Sequence, residues 1–125
     1  MKILKCAKCG NMVLELVKKP CDLMCCGEKL VEAVPNTTDA SKEKHVPAVS
    51  INENKVEVVV GEVIHPMQDN HYITFIALET NEKIYLKNLT PSDEPKATFV
   101  LSETEKAKAA YEYCNLHGFW KKEIE

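Results

Sequence analysis

Lys55-Val56-Glu57-Val58-Val59-Val60 carries the clearest strand signal in this chain. Its β-branched residues favour extended backbone, and the partial alternation of apolar with charged side chains gives the strand one buried face. Turn residues such as Pro91-Ser92-Asp93 separate this stretch from others like it. Those other strand-forming stretches lie at residues 72–78, 83–89 and 97–101. Several short strands at this spacing predict a mainly β protein built on an antiparallel sandwich.

One segment departs from the strand pattern. Ser102 and Glu105 have the spacing of a capping box, and residues 106–110 favour a helix. We therefore expect a short helical turn there, followed by a strand at residues 111–114.

Size and composition narrow the class of protein. The chain has 125 residues, of which 45% are hydrophobic and 28% charged, enough for one medium domain or two small ones. A net charge of −3 argues against nucleic acid or an anionic membrane as the main partner. No apolar run approaches the roughly 20 residues that span a bilayer. The first five residues lead directly into a cysteine motif without an apolar signal region, so we expect a cytoplasmic protein.

Four of the six cysteines form a metal-binding set near the N-terminus. Cys6 and Cys9 have the Cys-x2-Cys spacing that lets both sulfurs bind one metal, and the adjacent pair Cys25-Cys26 follows. Adjacent cysteines impose a distorted geometry, which favours an iron with four thiolates over an ordinary zinc knuckle. A zinc-stabilised knuckle and a disulfide pair are the alternatives. Cys21 is a possible substitute for Cys25, but the spacing favours Cys25 and Cys26, and we expect Cys21 to be a free loop thiol.

The cysteine-rich segment contains one predicted strand, at residues 12–17, and is too short to fold unaided. Residues 1–35 cannot bury enough surface alone, so a metal must hold them together. We also expect a homodimer with shared apolar surface, through Met12, Leu14 and Leu16. A polar stretch without periodicity follows at residues 35–41. The predicted organisation is therefore a metal knuckle at 1–35, a linker at 36–44 and a β-sandwich domain at 45–125.

All four histidines fall outside the knuckle, together with the sixth cysteine. The set consists of His45, His65, His71, Cys114 and His117. Neutral imidazole is the commonest metal ligand, and the Cys-x2-His spacing at the end of the set places two donors on one tight loop. Five donors are too many for a closed tetrahedral zinc site. They suit a redox iron with five protein ligands and one open position.

The order of these motifs resembles desulfoferrodoxin, the two-iron class of superoxide reductase. The resemblance runs from Lys5 to about Lys121, and Cys21 is an extra cysteine in the first knuckle. The motifs that carry it are Cys6-x2-Cys9-x15-Cys25-Cys26, Glu43-Lys44-His45-Val46-Pro47, His65-Pro66-Met67, His71 and Cys114-Asn115-Leu116-His117-Gly118.

The resemblance implies a fold and two iron ions per chain. The first domain would be a desulforedoxin-like knuckle, and the second an immunoglobulin-like antiparallel sandwich. The first iron would take Cys6, Cys9, Cys25 and Cys26. The second would take His45, His65, His71 and His117 in the equatorial plane, with Cys114 on the axis. The sixth position would face solvent; in this family Glu43 can occupy it in the ferric state, and Lys44 lies above it.

The resemblance also implies an activity. A superoxide reductase reduces superoxide by one electron to hydrogen peroxide without releasing oxygen. A donor must then return the electron, and rubredoxin is the usual one in this family. Lys44 would attract the anionic substrate, and Glu43 would close the ferric site once peroxide has left.

Two other functions fit parts of the sequence. A non-enzymatic electron carrier would use both irons only to shuttle electrons, and it would have no open coordination position. A binding module would join a zinc knuckle to a fibronectin-like sandwich and would show no colour.

Overall fold

The computed structural model describes residues 1–37, 45–61 and 65–125. The chain forms two compact units, Met1–Val34 and Pro35–Glu125. All regular structure in the described parts is β, which confirms the predicted fold class. No helix that could cross a membrane is found in those parts.

The first unit is a small sheet with a separate hairpin. Its strands are β1 (Ile3–Lys5), β2 (Met12–Leu14), β3 (Met24–Cys25), β4 (Glu28–Lys29) and β5 (Val31–Glu32). β1 lies between β2 and β5 and pairs antiparallel with both. The core consists of Leu4, Cys6 and Leu30, with Cys25 packed against it. Two of these four residues are cysteines, so the core of this unit overlaps with its thiol cluster.

The hairpin between β3 and β4 explains the adjacent cysteines. Only Cys26 and Gly27 separate the two strands, and their φ angles are 52° and 74°. Two central residues with positive φ are what a type I′ turn requires, and this turn matches the twist of paired strands. A non-glycine residue in this conformation is uncommon. The turn therefore brings the Cys26 thiol to the same side as that of Cys25.

The second unit is a sandwich of two antiparallel sheets. Its strands are β6 (Pro47–Asn52), β7 (Lys55–Val60), β8 (Ile73–Thr80), β9 (Ile84–Asn88), β10 (Lys96–Val100), β11 (Ala107–Cys114) and β12 (Gly118–Glu123). One sheet has the order β10-β7-β6 and the other β12-β11-β8-β9. The three-plus-four arrangement is immunoglobulin-like, but β9 pairs with β8 and not with β10, which distinguishes it from the constant type.

Alternation along the strands builds the core between the two sheets. Val56, Val58 and Val60 of β7 are fully buried, while Lys55 and Glu57 are exposed. From the facing sheet, Ile76 and Leu78 of β8 join the same cluster. This is the period-2 pattern expected of a sheet with one solvated face.

The prediction of helix at residues 106–110 is wrong. These residues are strand from Ala107 onward, and β11 pairs with β8 on one side and β12 on the other. A central strand finds inter-strand partners for its backbone along its whole length, and this outweighs a weak helix propensity. The capping contact itself forms: the Ser102 N–H donates to the Glu105 carboxylate at 3.1 Å, but it closes a single turn.

The strand boundaries and several whole strands also differ from prediction. β2 ends at Leu14 and not at residue 17, and the last predicted strand, 111–114, begins at Ala107. Strands β1, β6 and β12 were not predicted from the sequence. The topology brings the ends of five strands together at one end of the sandwich. These are the starts of β6, β8 and β12 and the ends of β7 and β11, each close in sequence to a histidine or to Cys114.

Candidate metal centres

Five donor atoms meet at that end of the sandwich. They belong to His45, His65, His71, Cys114 and His117, and all lie within 4.8 Å of one another. These are the five residues that the sequence predicts for the second metal site. Residues 71, 114 and 117 lie at strand ends of the four-stranded sheet, whereas residues 45 and 65 flank β6 and β7 of the other sheet.

The four imidazoles form a closed ring. Neighbouring ring centroids are 5.1 Å apart from His45 to His65, 4.8 Å from His65 to His71 and 5.1 Å from His71 to His117, and the ring closes at 4.7 Å between His117 and His45. The planes of neighbouring rings are inclined by 59° to 80°. Such a ring surrounds a central point and presents one nitrogen from each side.

Contacts within the site indicate which nitrogen three of the four rings present. Nδ1 of His65 lies 2.8 Å from the carbonyl oxygen of Pro66, which leaves Nε2 as the candidate metal-binding atom. Nδ1 of His117 lies 3.7 Å from Sγ of Cys114 and 3.1 Å from Nε2 of His45. His117 therefore offers Nδ1, and His45 offers Nε2.

The donors of this site differ in burial. His45, His65 and Cys114 are buried, His71 is half-buried and His117 is exposed. Among these five residues, Cys114 therefore lies in the protein interior and His117 lies nearest to solvent. The donor chemistry fits iron: neutral imidazoles and a thiolate suit a borderline or soft metal, and five donors exceed a tetrahedral zinc site.

The second group of donors lies in the first unit. Sγ atoms of Cys6, Cys9, Cys25 and Cys26 also lie within 4.8 Å of one another, the set predicted from the sequence. Sγ of Cys25 is 3.5 Å from that of Cys9 and 4.0 Å from that of Cys26. Cys21 is exposed and outside this group, in the position expected of a free loop thiol.

The thiols of this group have unequal acidities. The Cys9 N–H, at 3.4 Å from Sγ of Cys6, lowers the pKa of the Cys6 thiol to about 6. The Cys9 thiol raises the pKa of Cys25 and, together with Cys25, raises the pKa of Cys26 to about 12. Four sulfurs this close cannot all be thiolates at neutral pH unless a cation offsets their charge. The group therefore fits a metal ion bound by four thiolates.

Comparison with known proteins agrees with both sites. The family model described as Desulfoferrodoxin matches residues 37–123. The chain is 44% identical over 121 residues to a desulfoferrodoxin homolog of Archaeoglobus fulgidus, covering 96% of this chain and 94% of that one. This chain belongs to the desulfoferrodoxin family. The family binds two irons, and the predicted cofactors, two iron ions per chain, are confirmed by the two donor groups.

Solved structures of desulfoferrodoxin relatives show the same architecture. The crystal structure of the superoxide reductase from Treponema pallidum matches with a TM-score of 0.81 at 32% identity, over 98% of this chain and 97% of that one. The superoxide reductase (1Fe-SOR) from Giardia intestinalis matches with a TM-score of 0.59 at 37% identity. The Giardia match covers 67% of this chain and 99% of that one.

Two predicted site residues are not placed by the structure. Glu43 and Lys44 lie outside the described residues, and their roles stay predictions.

Sequence reasoning missed the residues that support the ligands. The Asn115 side chain accepts a hydrogen bond from the Tyr72 N–H at 2.8 Å and donates one to the Asn70 carbonyl at 3.1 Å. It thereby ties the turn that carries His117 to the segment that carries His71. An asparagine between two predicted ligands was a usable signal, because short amide side chains commonly fix turns. Trp120 also contacts the site, and no sequence motif around Trp120 predicts this contact.

Proposed function

We propose that this member of the desulfoferrodoxin family is a superoxide reductase. It reduces superoxide to hydrogen peroxide with one electron and two protons, and it releases no oxygen. The observation that carries the proposal is the convergence of four imidazoles and one buried thiol on one point, with His117 exposed to solvent. A relative of solved structure whose match covers 98% of this chain is a superoxide reductase by name.

The proposed ligands follow the two donor groups. The first iron is bound by Cys6, Cys9, Cys25 and Cys26. The second, catalytic iron is bound by His45, His65, His71, His117 and Cys114. When bound, the catalytic iron supplies the electron and an open position for a small anion.

The protein sets the electronics and the access of that site. Neutral imidazoles add no charge, so the reduced state stays accessible, while the buried Cys114 thiolate adds one negative charge that favours the oxidised state. Exposure of His117 lets superoxide and water arrive from the same side. Water on that side supplies the protons that peroxide needs before it leaves.

Two charged residues complete the proposed machinery. The chain has a net charge of −3 and repels an anion, and the Lys44 ammonium next to His45 in sequence offsets this locally. It also holds water for proton donation. Glu43 would supply a carboxylate ligand to the oxidised iron and would so protect the site between turnovers.

The oxidised enzyme must be reduced again by a separate electron donor. The reaction consumes one electron per turnover, which the donor must supply. A cytoplasmic rubredoxin is the proposed donor, because rubredoxin is the usual one in this family. The iron of the first unit either relays that electron or serves as structure. Residues 1–35 form the proposed desulforedoxin-like domain, 36–44 the linker and 45–125 the catalytic domain.

A homodimer is the proposed assembly, joined through the first unit. Leu16 is 81% exposed and Met24 61% exposed, although the unit is short of apolar core. Together with the half-buried Met12 and Leu14, they give an apolar surface that a second copy can cover. Sedimentation of Leu16→Asp against Leu116→Asp, an exposed leucine of the second unit, checks this. We expect a monomer only for Leu16→Asp. If both variants sedimented as dimers, this surface would not be the interface.

The deciding experiment is pulse generation of superoxide with anaerobically purified, iron-loaded protein. We expect a near-diffusional second-order oxidation of the second iron, with one peroxide formed per superoxide and no oxygen. Cys114→Ser should abolish the fast phase, and Cys21→Ser, a thiol outside both groups, should keep it. Oxygen evolution would indicate a dismutase, and slow oxidation without dependence on superoxide would indicate an electron carrier.

A further inference from the structure

Trp120 contacts two of the proposed iron ligands at once. Its ring stacks on the His45 imidazole, with centroids 5.0 Å apart and planes inclined by 17°. Its Nε1–H donates a hydrogen bond to the main-chain carbonyl oxygen of His117 at 3.1 Å. The two histidines are far apart in sequence and lie beside different sheets, so this one side chain joins both halves of the sandwich at the site.

Trp120 itself is held in place on both sides of its strand. In β12 it is paired with Glu112 of β11. On the other edge it forms a parallel bridge with Asn36, where the Asn36 N–H donates to Phe119 and the Lys121 N–H donates to Asn36, each at 2.9 Å. The indole is buried at the core side of the sheet. A ring fixed in this way is a rigid surface against which another ring can be positioned.

The two ligands that Trp120 contacts need such a surface. His45 precedes β6 and lies outside any strand, so no ladder orients its ring. His117 lies in the exposed turn between β11 and β12. Groups that orient ligands from behind commonly change metal affinity by about 10-fold to 100-fold when they are removed.

We propose that Trp120 is a positioning residue of the catalytic iron, orienting His45 by stacking and His117 through the indole hydrogen bond. This inference rests on the ligand assignment under the proposed function. The indole is suited to both tasks because it combines a large flat face with a single N–H donor. Phenylalanine offers the face without the donor, and leucine offers neither.

The chain contains a matched control next to this residue. Phe119 is also a buried aromatic of β12, but its ring lies on the opposite face and stacks on Tyr111 with centroids 5.6 Å apart. Replacing Phe119 by leucine removes a buried aromatic ring from the same strand without touching a ligand. Trp120→Phe, which keeps an aromatic ring, is the closer match to Phe119→Leu in lost volume, so a difference between these two variants reports contact with the site.

The test is the release of iron from the loaded, full-length protein into an excess of a ferrous chelator, without superoxide. Wild type is compared with Trp120→Phe, Trp120→Leu and Phe119→Leu, and absorption bands follow the two irons separately. We expect Trp120→Leu to release the second iron about 10-fold faster than wild type or more. Trp120→Phe should fall between them, with a changed ferric spectrum. Phe119→Leu should match wild type, and the four-cysteine iron should be unaffected throughout.

The contrary result is equally clear. Release from Trp120→Leu at the rate of Phe119→Leu would overturn the inference. If Trp120→Leu does not fold, Trp120→Phe decides: wild-type release with an unchanged ferric spectrum would overturn it. Protein that retains iron in a Trp120-dependent way but does not reduce superoxide would reject the proposed function and support this inference.

Discussion

Glu105 has a buried carboxylate, and both of its oxygens accept hydrogen bonds. Its side chain is 0% exposed. Oε1 accepts from the Tyr85 hydroxyl at 2.7 Å, the Lys83 ammonium at 3.0 Å and the Ser102 N–H at 3.1 Å, and Oε2 accepts from the Thr80 hydroxyl at 2.9 Å. Burial opposes ionisation, but these hydrogen bonds outweigh it and lower the pKa of Glu105 to about 2. The charge therefore fastens the loop before β11 to the β8–β9 turn.

The Glu105 carboxylate should make the stability of the wild-type protein depend on pH in a defined window. Because the folded pKa is about 2 and the ordinary value is 4.5, the contribution of the carboxylate is complete above about pH 4.5 and is lost as pH falls toward 2. Glu105→Gln should lower the free energy of unfolding at pH 7, and its deficit relative to wild type should shrink below pH 4.5. Urea unfolding from pH 7 to pH 3 measures this.

Acid also protonates the metal ligands, so the comparison must use the difference between two proteins. Metal loss affects wild type and Glu105→Gln alike and cancels in that difference. Glu103→Gln, at an exposed carboxylate of the same turn, should show no deficit. A deficit of Glu105→Gln that stays constant with pH would mean that the charge is not what the network stabilises.

Lys44 should act on the rate of encounter with superoxide. A fixed ammonium beside the site raises the local concentration of an anion, and salt screens the effect over about 8 Å at physiological ionic strength. Lys44→Ala should slow the second-order reaction by about 10-fold at low ionic strength, and the loss should shrink as salt is added. The control is Lys108→Ala, which makes the same change in net charge. Lys108 lies near the start of β11, at the other end of the strand from Cys114, so this variant should keep the second-order rate of the wild type. Equal rates for both variants would exclude Lys44 from the mechanism.

At the scale of elements, the turn from β11 to β12 carries both Cys114 and His117. It ends at Gly118, whose φ of 90° is the left-handed region that glycine favours. Nothing lies within 4 Å of a Cβ added there, so a substitution changes backbone strain and not packing. The strain of a residue other than glycine in this region is about 1–2 kcal/mol.

Gly118→Ala should therefore loosen the catalytic iron. The strained turn moves the His117 donor, so release of the second iron to a chelator should accelerate, and the protein should lose about 1 kcal/mol of stability. Leu116→Ala, at an exposed position of the same turn, should change neither quantity. If Gly118→Ala retained iron like Leu116→Ala, the turn would not depend on the conformation of Gly118. The four-cysteine iron is the internal reference in both.

Strands with a strong local pattern were predictable, and those defined by their partners were not. β7 follows from its own β-branched alternation, whereas β11 begins in residues that favour a helix and becomes a strand because β8 and β12 flank it. The ligand histidines follow from motifs that are compact in sequence. Trp120 does not, because its contact with His45 exists only after the two sheets have packed.

At the scale of the whole molecule, the two units differ in what stabilises them. Among the described residues, the sandwich core contains twelve buried residues, whereas the apolar cluster of the first unit contains three, one of them Cys6. Burial on that scale cannot offset the backbone entropy of about 1–2 kcal/mol for each ordered residue. We therefore predict that bound metal supplies much of the stability of the first unit.

Removal of iron should unfold the first unit and spare the second. In metal-free, reduced protein, the amides of β1 and β2 should exchange with solvent as fast as in a disordered chain, while those of β7, β8 and β11 stay protected by the sandwich core. Hydrogen exchange with and without iron measures both sets in one sample. Cys26→Ser should reproduce the exchange of the metal-free protein in the first unit alone, and Cys21→Ser should behave like wild type. Protected amides in the metal-free β1–β2 pair would show that apolar burial suffices, and the four-cysteine iron would then be free to serve electron transfer without a structural role.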